Sequence, residues 1–324
     1  MSSNFVDGER KMKPQDRIVT FPLMGKKNSK IIKDFLESLD LKVIMPPLTT
    51  DETIKKGVKH TAGMICYPLK QTLGNYMEAL DKGANTLLAY DTIGLCRFRM
   101  YNQLHEFTLT GLGYDFDIVV MNPGNLVSKL KEVSGKNKIT ILRKLYSSYK
   151  KLKESNLQQW SEDKPNIGLI GEVFCLNDEY ANQNLKGKIR HYGCNSFNTV
   201  TQLDFMHTTI PLFNLWGLKD LFKKDELKKY KERAKKYMNG WRSGHAYENL
   251  YNLMWLIDKK VDGIISVAPL SCCPEVTIEP YVDKICKDSK IPLLRIGIDE
   301  NQSPANFETR LETFCEILKM RYKK

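Results

Sequence analysis

Three cysteines stand where a loop leads into a predicted helix. Cys66 precedes helical periodicity in ICYPLKQTLGNYMEAL, Cys96 precedes it in TIGLCRFRMYNQL, and Cys272 follows an apolar strand in APLSCCPEVTIEP. The amino terminus of a helix stabilises an anion and so lowers the pKa of a nearby thiol. Because the thiolate is the form that binds metal, these residues are the candidate metal-ligating and redox groups of the chain.

The spacing of these cysteines leaves two interpretations open. The sequence has no Cys-x2-Cys pair, which disfavours a zinc ribbon or a ferredoxin-type cluster run. One interpretation is therefore three inert thiols. The other is a three-thiolate site with an open fourth position, whose soft sulfur ligands suit an iron-sulfur cube or zinc.

The remaining cysteines predict different roles. Cys is among the most buried residue types, so we interpret four of them as core or surface thiols. These four are Cys175, Cys194, Cys286 and Cys315. Cys273 directly follows Cys272, and adjacent side chains diverge. We expect one ligand from this pair and assign it to Cys272, with Cys273 as the alternative.

The composition predicts an ordinary folded protein of the cytoplasm. The chain has 324 residues, of which 42% are hydrophobic and only 13 are proline, so it has enough apolar surface to offset the entropy of ordering. No stretch reaches the roughly 18 apolar residues of a membrane span, and the first residues are polar, unlike a signal peptide. In a reducing compartment the eight cysteines are expected to stay thiols.

The basic charge does not by itself identify a partner. Fifty Lys and Arg residues against 38 Asp and Glu give a net charge of +12. Much of the excess lies in FKKDELKKYKERAKKY, residues 222–237, which we interpret as the solvated face of an amphipathic helix. No RNA- or DNA-binding motif accompanies this segment, so the sequence does not predict nucleic acid as a partner.

Short apolar runs alternate with helical periodicity along the chain. This pattern predicts the α/β class, with two open, mostly parallel-sheet lobes and a cleft between them. The predicted divisions are a flexible arm (1–15), an N-terminal lobe (16–135), a connecting helix (136–165) and a C-terminal lobe (166–324). The predicted strands are 17–23, 42–47, 85–90, 117–121, 166–172, 262–270 and 291–299. The predicted helices are 29–39, 68–81, 97–112, 138–160, 180–192, 222–237, 247–259, 274–287 and 307–322.

Several segments together resemble a known family. They are FPLMGKKNSKIIKDFLESLDLKV, MICYPLKQTLGNYMEALDKGANTLL, GLCRFRMYNQL, GEVFCLNDEYAN, VDGIISVAPLSCCPEVTIEPYVDKI and IPLLRIGIDENQSPANFETRLETF. In this order they resemble the 2-hydroxyacyl-CoA dehydratase-related family, in particular its single-chain acyl-CoA dehydratase activase-related proteins. The likeness spans about residues 19–318.

The resemblance implies a cofactor and its ligands. In that family three cysteines hold an iron-sulfur cluster between α/β lobes, and the matching positions are Cys66, Cys96 and Cys272. Relatives carry either one 4Fe-4S cube per subunit or, in a homodimer, a double cubane of two bridged cubes. Cys273 occupies a position that relatives usually fill with a small or apolar residue.

The resemblance also implies a redox function of anaerobic metabolism. In related systems a separate activase of the sugar kinase, heat-shock chaperone and actin superfamily hydrolyses ATP and supplies an electron of low potential. This chain has neither a G-x-x-x-x-G-K-S/T loop nor a G-x-G-x-x-G fingerprint, so the ATP chemistry is expected of the partner. The chain would accept the electron and reduce a small molecule at its cluster. The alternative is a non-catalytic iron-sulfur carrier or scaffold, and the absence of an acyl-CoA pocket motif leaves dehydratase activity outside the prediction.

The sequence also suggests roles for charged and titratable residues near the three cysteines. Lys70 and Arg97 are either positive charges beside an anionic cluster or solvated surface cations. Glu275 is expected to stabilise the start of its helix, and Glu172 to shape the cleft between the lobes. Candidate proton donors, with a structural role as the alternative, are His105 and His245.

Overall fold

The computed structural model describes residues 12–91, 96–201, 203–204, 221–238 and 245–322, with side chains of the 221–238 segment from residue 228 onward. The described residues form two four-stranded parallel sheets, each flanked by helices. The predicted α/β class with two parallel-sheet lobes is confirmed. Most of the predicted N-terminal arm, residues 1–11, lies outside the described part of the chain.

The first lobe contains a sheet with strand order β2-β1-β3-β4. Its strands are β1 (Ile18–Thr20), β2 (Lys42–Val43), β3 (Thr86–Tyr90) and β4 (Asp117–Met121). Its helices are α1 (Lys26–Glu37), α2 (Asp51–Lys59), α3 (Tyr67–Leu80), α4 (Tyr101–Gly111), α5 (Leu126–Ser134) and α6 (Lys138–Ser155). All strand pairs are parallel, as expected when helices connect successive strands.

The second lobe repeats the same arrangement, with strand order β6-β5-β7-β8. Its strands are β5 (Asn166–Gly171), β6 (Asn195–Asn198), β7 (Gly263–Pro269) and β8 (Leu293–Ile298). Its helices are α7 (Val173–Asn177), α8 (Leu185–His191), α9 (Leu221–Lys235), α10 (Ala246–Asp258), α11 (Cys273–Asp288) and α12 (Pro304–Tyr322). In both lobes the first strand lies second in the sheet, so the two lobes share one topology.

Four elements were absent from the sequence prediction: α2, α5, α7 and β6. Helix α2 is short and is capped by Thr50, whose side chain accepts from the backbone N–H of Thr53. That capping box uses Thr where the usual signature has Glu or Gln. Strand β6 is the polar tetrapeptide NSFN, which lacks the β-branched residues that identify strands.

Two predicted helices were too long. The helix predicted over 138–160 ends at Ser155. The side-chain amide of the next residue, Asn156, donates to the carbonyl oxygen of Leu152. The helix predicted over 180–192 begins only at Leu185, because Gln183 and Asn184 have positive φ values of 50° and 56°. A left-handed backbone cannot belong to a right-handed helix.

The core of the first lobe lies between its sheet and its helices. Val19, Leu88 and Val119 from three strands pack with Ile141 and Leu145 of α6. Helix α6 thus packs on the first lobe, beside α1, although it lies within the predicted connecting segment. Burial of these apolar side chains is the main stabilising contribution to the lobe.

Every residue of β5 is buried, so the sheet of the second lobe has a core on each face. Ile167 and Leu169 pack on the α12 side with Leu311. Ile170 packs on the other side with Leu250 of α10. A strand covered on both faces is typical of parallel sheets between helices.

The two lobes contact each other through apolar side chains. Ile54 of α2 and Tyr67 of α3 belong to the same buried cluster as Val173 and Phe174 of α7. The ring of Phe98 lies 5.8 Å from that of Phe174, measured between centroids. The second lobe therefore shares part of its core with the first.

Buried polar contacts also cross between the lobes. Thr49 Oγ1 donates to Asp178 Oδ2 over 3.1 Å. Lys70 Nζ lies 2.6 Å from Glu300 Oε1, and the Lys70 side chain is only 2% exposed. Within the described ranges, no helix is both long enough and apolar enough to cross a membrane.

Candidate functional site

Each of the three candidate cysteines occupies the N-cap position of a helical segment. Cys66 caps α3, Cys96 caps the 3-10 turn that leads into α4, and Cys272 caps α11. Their φ and ψ values are −68° and 143°, −66° and 135°, and −73° and 106°, respectively. Extended backbone is normal for an N-cap residue, and the predicted loop-to-helix setting of all three is confirmed.

The sheets bring two of these cysteines to the contact between the lobes. Cys96 follows β3, an inner strand of the first sheet, and Cys272 follows β7, an inner strand of the second. Glu172 directly follows β5, the neighbour of β7. Ligand sites of open α/β sheets lie at the carboxyl ends of such strands.

The thiols are close enough to influence one another electrostatically. Burial, followed by charge on Glu172, Cys66 and Cys273, raises the pKa of Cys96 to about 12. Burial also raises the pKa of Cys272, with added contributions from Glu275, Glu172 and Cys96. Charge on a cysteine of one lobe thus shifts the pKa of a cysteine of the other, although the two are separated widely in the sequence.

Glu172 interacts electrostatically with each of the three candidate cysteines. Besides burial, its charge raises the pKa of Cys66, Cys96 and Cys272. Its own pKa is raised by burial, while N–H groups at the start of α7 oppose that shift. Its Oε2 accepts from the backbone N–H of Cys175 over 2.9 Å. The sequence predicted that Glu172 shapes the cleft, but not that it sits beside the thiols.

Cys175 is a group that the sequence interpretation placed elsewhere. It is fully buried, and its pKa is raised by burial first and then by Glu172 and Cys272. The sequence predicted a core or surface thiol, and Cys175 lies in the core, where charge on Cys272 also raises its pKa. The spacing GEVFC carried the signal, since it puts a carboxylate at the N-cap of α7 and a thiol three residues later.

Cys66 has two neighbours that favour its thiolate. Burial raises the pKa of Cys66, but contact with the Tyr101 hydroxyl and the charge of Arg97 oppose that shift. Tyr101 is itself buried. Arg97 is exposed and donates to the carbonyl oxygen of Met64 over 3.1 Å. The electrostatic interaction predicted for Arg97 therefore has a structural basis.

The structure contradicts one of the two expectations for Lys70. It is not a solvated surface cation, because its side chain is buried. Its ammonium group contacts Glu300 and also donates to the carbonyl oxygen of Gly63 over 2.9 Å. Lys70 therefore joins the lobes through an ion pair whose partner lies 230 residues away.

The pKa values of Glu275 and of the two histidines are shifted so that their charged forms are disfavoured. Burial raises the pKa of Glu275 to about 8, although Asn249 Nδ2 donates to its Oε1 over 2.7 Å. Burial lowers the pKa of His105 to about 3 and that of His245 to about 4. Both imidazoles are neutral at neutral pH, and the Nε2 of His105 contacts Thr72 Oγ1 at 3.0 Å.

The three N-cap thiols are soft sulfur donors of the kind that iron-sulfur clusters or zinc take as ligands. Over the part of the chain that the structure describes, no three His, Cys, Asp or Glu side chains are grouped as ligands of one ion. The thiolates around a cube bind separate irons and stand further apart than the ligands of one ion. Three thiols at three helix starts provide the soft sulfur donors that such a cube requires.

Raised thiol pKa values have a consequence for any such cofactor. Burial keeps Cys66, Cys96 and Cys272 protonated at neutral pH. Ligand thiols must lose their protons to bind metal, so loading would release protons. Loading is therefore expected to become more favourable as the pH rises.

The other cysteines belong to the interior of the second lobe. Cys286 packs with the α10 and α11 side chains, and Cys315 lies in α12. Cys194 approaches the carbonyl oxygen of Cys315, with its sulfur 3.9 Å from that oxygen. All three are buried, in agreement with their interpretation as core or surface thiols.

No protein-family model matches the chain, and no curated protein matches it either.

Proposed function

We propose that this chain is an iron-sulfur redox protein whose cluster is held by Cys66, Cys96 and Cys272. The observation that supports the proposal is the gathering of N-cap thiols from both lobes into one electrostatic group. The cofactor is a 4Fe-4S cube or, in a homodimer, a double cubane. Membership of the 2-hydroxyacyl-CoA dehydratase-related family is part of the same proposal.

Backbone groups at the three helix starts favour anionic sulfur. The N–H groups of Leu69, Phe98 and Glu275 lower the pKa of Cys66, Cys96 and Cys272, respectively, against the effect of burial. The helices α3 and α11 have 14 and 16 residues, and helix dipoles place partial positive charge at such amino termini. These groups would offset part of the negative charge of a thiolate-bound cluster.

When bound, the cluster supplies low-potential one-electron chemistry. We propose that the electron comes from an ATP-hydrolysing activase and that a small molecule is reduced. The surroundings of the thiols favour this over a carrier, since Cys66 and Cys272 are each only 6% exposed. Burial raises the pKa of Glu172, and its charge in turn raises the pKa of each of the three thiols.

The second candidate is a non-catalytic electron carrier or scaffold. It is favoured by Cys96, which is only half-buried, and by the exposed Arg97 that follows it. An exposed edge next to a cluster would allow a partner protein to dock. The two functions differ in what oxidises the reduced cluster.

The proposal is tested by electron transfer on the anaerobically purified full chain. After reduction by a low-potential donor, a cluster-bearing protein is expected to give an electron paramagnetic resonance signal of a reduced iron-sulfur centre. Small molecules that can be reduced by one electron would then be added one at a time. Substrate-dependent loss of the signal supports the enzyme, and loss only on adding an acceptor protein supports the carrier. A protein that binds no iron overturns both.

The choice between adjacent cysteines has its own test. We expect Cys272→Ala to lose bound iron and Cys273→Ala to keep it, because Cys272 is the buried N-cap residue of α11, whereas Cys273 is only half-buried. The reverse result would transfer the ligand role to Cys273. Both changes are small and lie in the same turn, so each variant is a matched control for the other.

A further inference from the structure

Cys194 and Cys315 are two neighbouring thiols of the second lobe, apart from the candidate cluster ligands. Cys194 lies in the turn between α8 and β6, and Cys315 lies in α12. The two residues are 1% and 0% exposed and belong to one buried cluster. The sulfur of Cys194 lies 3.9 Å from the carbonyl oxygen of Cys315, although the residues are 121 positions apart in the sequence. The fold therefore places together two thiols to which the iron-sulfur proposal gives no role.

One face of α12 is directed at the turn before β6. Glu308, seven residues before Cys315, accepts a hydrogen bond from the hydroxyl of Tyr192. Lys319, four residues after Cys315, passes beside Gly193, with its Cδ 3.7 Å from the Cβ position of that glycine. Residues spaced by four and by seven positions lie on the same face of a helix. The side chain of Cys315 lies between these two contacts and is therefore directed at the same turn, as a disulfide requires.

The surroundings give the two thiols different acidities. A hydrogen bond from Cys315 and the positive charge of Lys319 lower the pKa of Cys194, against the effect of burial. The same hydrogen bond, together with burial and charge on Cys194, raises the pKa of Cys315. Cys194 is therefore the thiol that more readily becomes a nucleophilic thiolate, and Cys315 is the one that keeps its proton. A thiolate next to a second thiol is typical of cysteine pairs that respond to oxidants.

A small oxidant has a route to Cys194. This residue borders a polar cavity of about 550 Å³. A cavity needs only about 10–15 Å³ to hold a water molecule, and hydrogen peroxide is little larger than water. Cys286, by contrast, packs among the apolar side chains of α10 and α11, and burial raises its pKa to about 12. Both its position and its pKa therefore favour reaction of Cys194 with peroxide over that of Cys286.

We propose that Cys194 and Cys315 form a reversible disulfide when the protein is exposed to a hydroperoxide. The Cys194 thiolate attacks one peroxide oxygen, so an S–O bond forms, the O–O bond breaks and the leaving hydroxide takes up a proton to become water. Cys315 then attacks the Cys194 sulfur, so an S–S bond forms, the S–O bond breaks and the hydroxide leaves with the Cys315 proton as a second water. The two thiols lose two electrons, which reduce the peroxide.

This site is independent of the iron-sulfur proposal, because it shares no residue with the candidate ligands Cys66, Cys96 and Cys272. The disulfide would join α12 to the turn before β6, across the 121 positions that separate Cys194 and Cys315. A cross-link over such a long loop restricts the unfolded chain. The oxidised protein should therefore unfold at a higher urea concentration than the reduced protein, and equal midpoints would contradict this effect.

Peptide mass mapping of the full chain tests the pair. The protein is purified anaerobically, treated with increasing amounts of hydrogen peroxide, alkylated with iodoacetamide in urea and digested without reductant. Cys194 and Cys315 are expected in one linked peptide that dithiothreitol separates, at peroxide levels that leave Cys286 alkylated. The pair would be overturned if both residues were still alkylated at a peroxide level that already oxidises Cys286. Linkage of Cys194 to another cysteine in place of Cys315 would overturn it too.

Single variants test the roles of the two thiols. In Cys315→Ser, Cys194 should accumulate as a sulfenic acid, which dimedone labels, because the second thiol is absent. In Cys194→Ser, dimedone labelling of Cys315 should be at least about tenfold weaker, because the nucleophile is absent. Cys286→Ser removes a buried thiol outside the pair and should form the linked peptide to the same extent as the wild type. Stronger labelling of Cys315 than of Cys194 would overturn the assigned roles, and loss of the link in Cys286→Ser would overturn the pair.

Discussion

The hydroxyl group of Tyr101 is within hydrogen-bonding distance of the sulfur of Cys66. Its ring is fixed by edge contacts with Phe98 and His105, at centroid distances of 5.1 and 5.9 Å. The Tyr101 hydroxyl is therefore held in place before any cofactor binds. Hydrogen bonds to ligand sulfurs are one means by which a protein sets the reduction potential of an iron-sulfur cluster.

Tyr101→Phe should make the cluster harder to reduce. A hydrogen bond to sulfur stabilises the reduced, more negative state, so its loss should lower the potential by on the order of tens of millivolts. Redox titration of the reconstituted protein measures the shift. Tyr114→Phe is the control, because its hydroxyl bonds Asp81 on the protein surface and its loss should leave the potential unchanged. Identical potentials in the wild type and Tyr101→Phe would contradict the assigned role.

Replacing Gly57 by alanine, where α2 crosses α3, should destabilise the folded protein. A Cβ atom at Gly57 would collide with the carbonyl oxygen of Lys70. Because backbone cannot move aside cheaply, Gly57→Ala should lower the free energy of unfolding by more than about 2 kcal/mol. Gly111→Ala, where no atom lies within 4 Å of the new Cβ, should stay within about 0.5 kcal/mol of the wild type. Urea unfolding checks both, and similar stabilities of the two variants would contradict the close packing.

The ion pair of Lys70 and Glu300 should contribute more than a surface pair. Glu300→Gln leaves a buried ammonium group without its counter-charge, which should cost about 1–3 kcal/mol of unfolding free energy. Adding Lys70→Met should restore part of that loss, since the unpaired charge is then removed. The exposed pair of Lys56 and Asp81 gives the control, and Lys56→Met should cost less than about 1 kcal/mol. A double variant whose loss is the sum of the two single losses would contradict the coupling.

Acid should lower the free energy of unfolding, because burial keeps His105 neutral in the folded protein. The pKa of His105 is lowered from 6.5 to about 3 on folding, so only the unfolded chain takes up its proton between these values. This contribution to stability is complete above pH 6.5 and is lost as the pH falls. His105→Gln should reduce the slope of unfolding free energy against pH in this window by up to about 1.4 kcal/mol per pH unit. Equal slopes for the variant and the wild type would show that another group causes the loss.

The features predicted best from the sequence are those that depend on residues close together along the chain, such as helix starts. Pro68 and Pro274 each lie at the second position of a helix that a cysteine caps, and proline is tolerated there because its missing N–H is not needed. Strands β3 and β7 were also predicted, because each is a short run of mostly apolar residues. Together these signals placed Cys66 and Cys272 correctly at helix starts.

The remainder depended on contacts between distant segments. A lysine is usually exposed, and nothing around Lys70 in the sequence indicates that Glu300 neutralises it in the interior. Cys175 was assigned to the core, whereas its position beside Cys272 requires the order of strands in the second sheet. The left-handed conformation of Asn184 likewise has no signal that separates it from the helical residues nearby.

Iron and acid-labile sulfide, counted per chain after anaerobic purification, test the central claim most directly. The wild type, Cys286→Ala and Cys315→Ala should each contain about four of both atoms, because the last two positions are core thiols. Cys66→Ala, Cys96→Ala and Cys272→Ala should each lose most of the iron while remaining folded. A wild-type chain without iron, or unchanged iron in all three ligand variants, would contradict the claim that these cysteines form one centre.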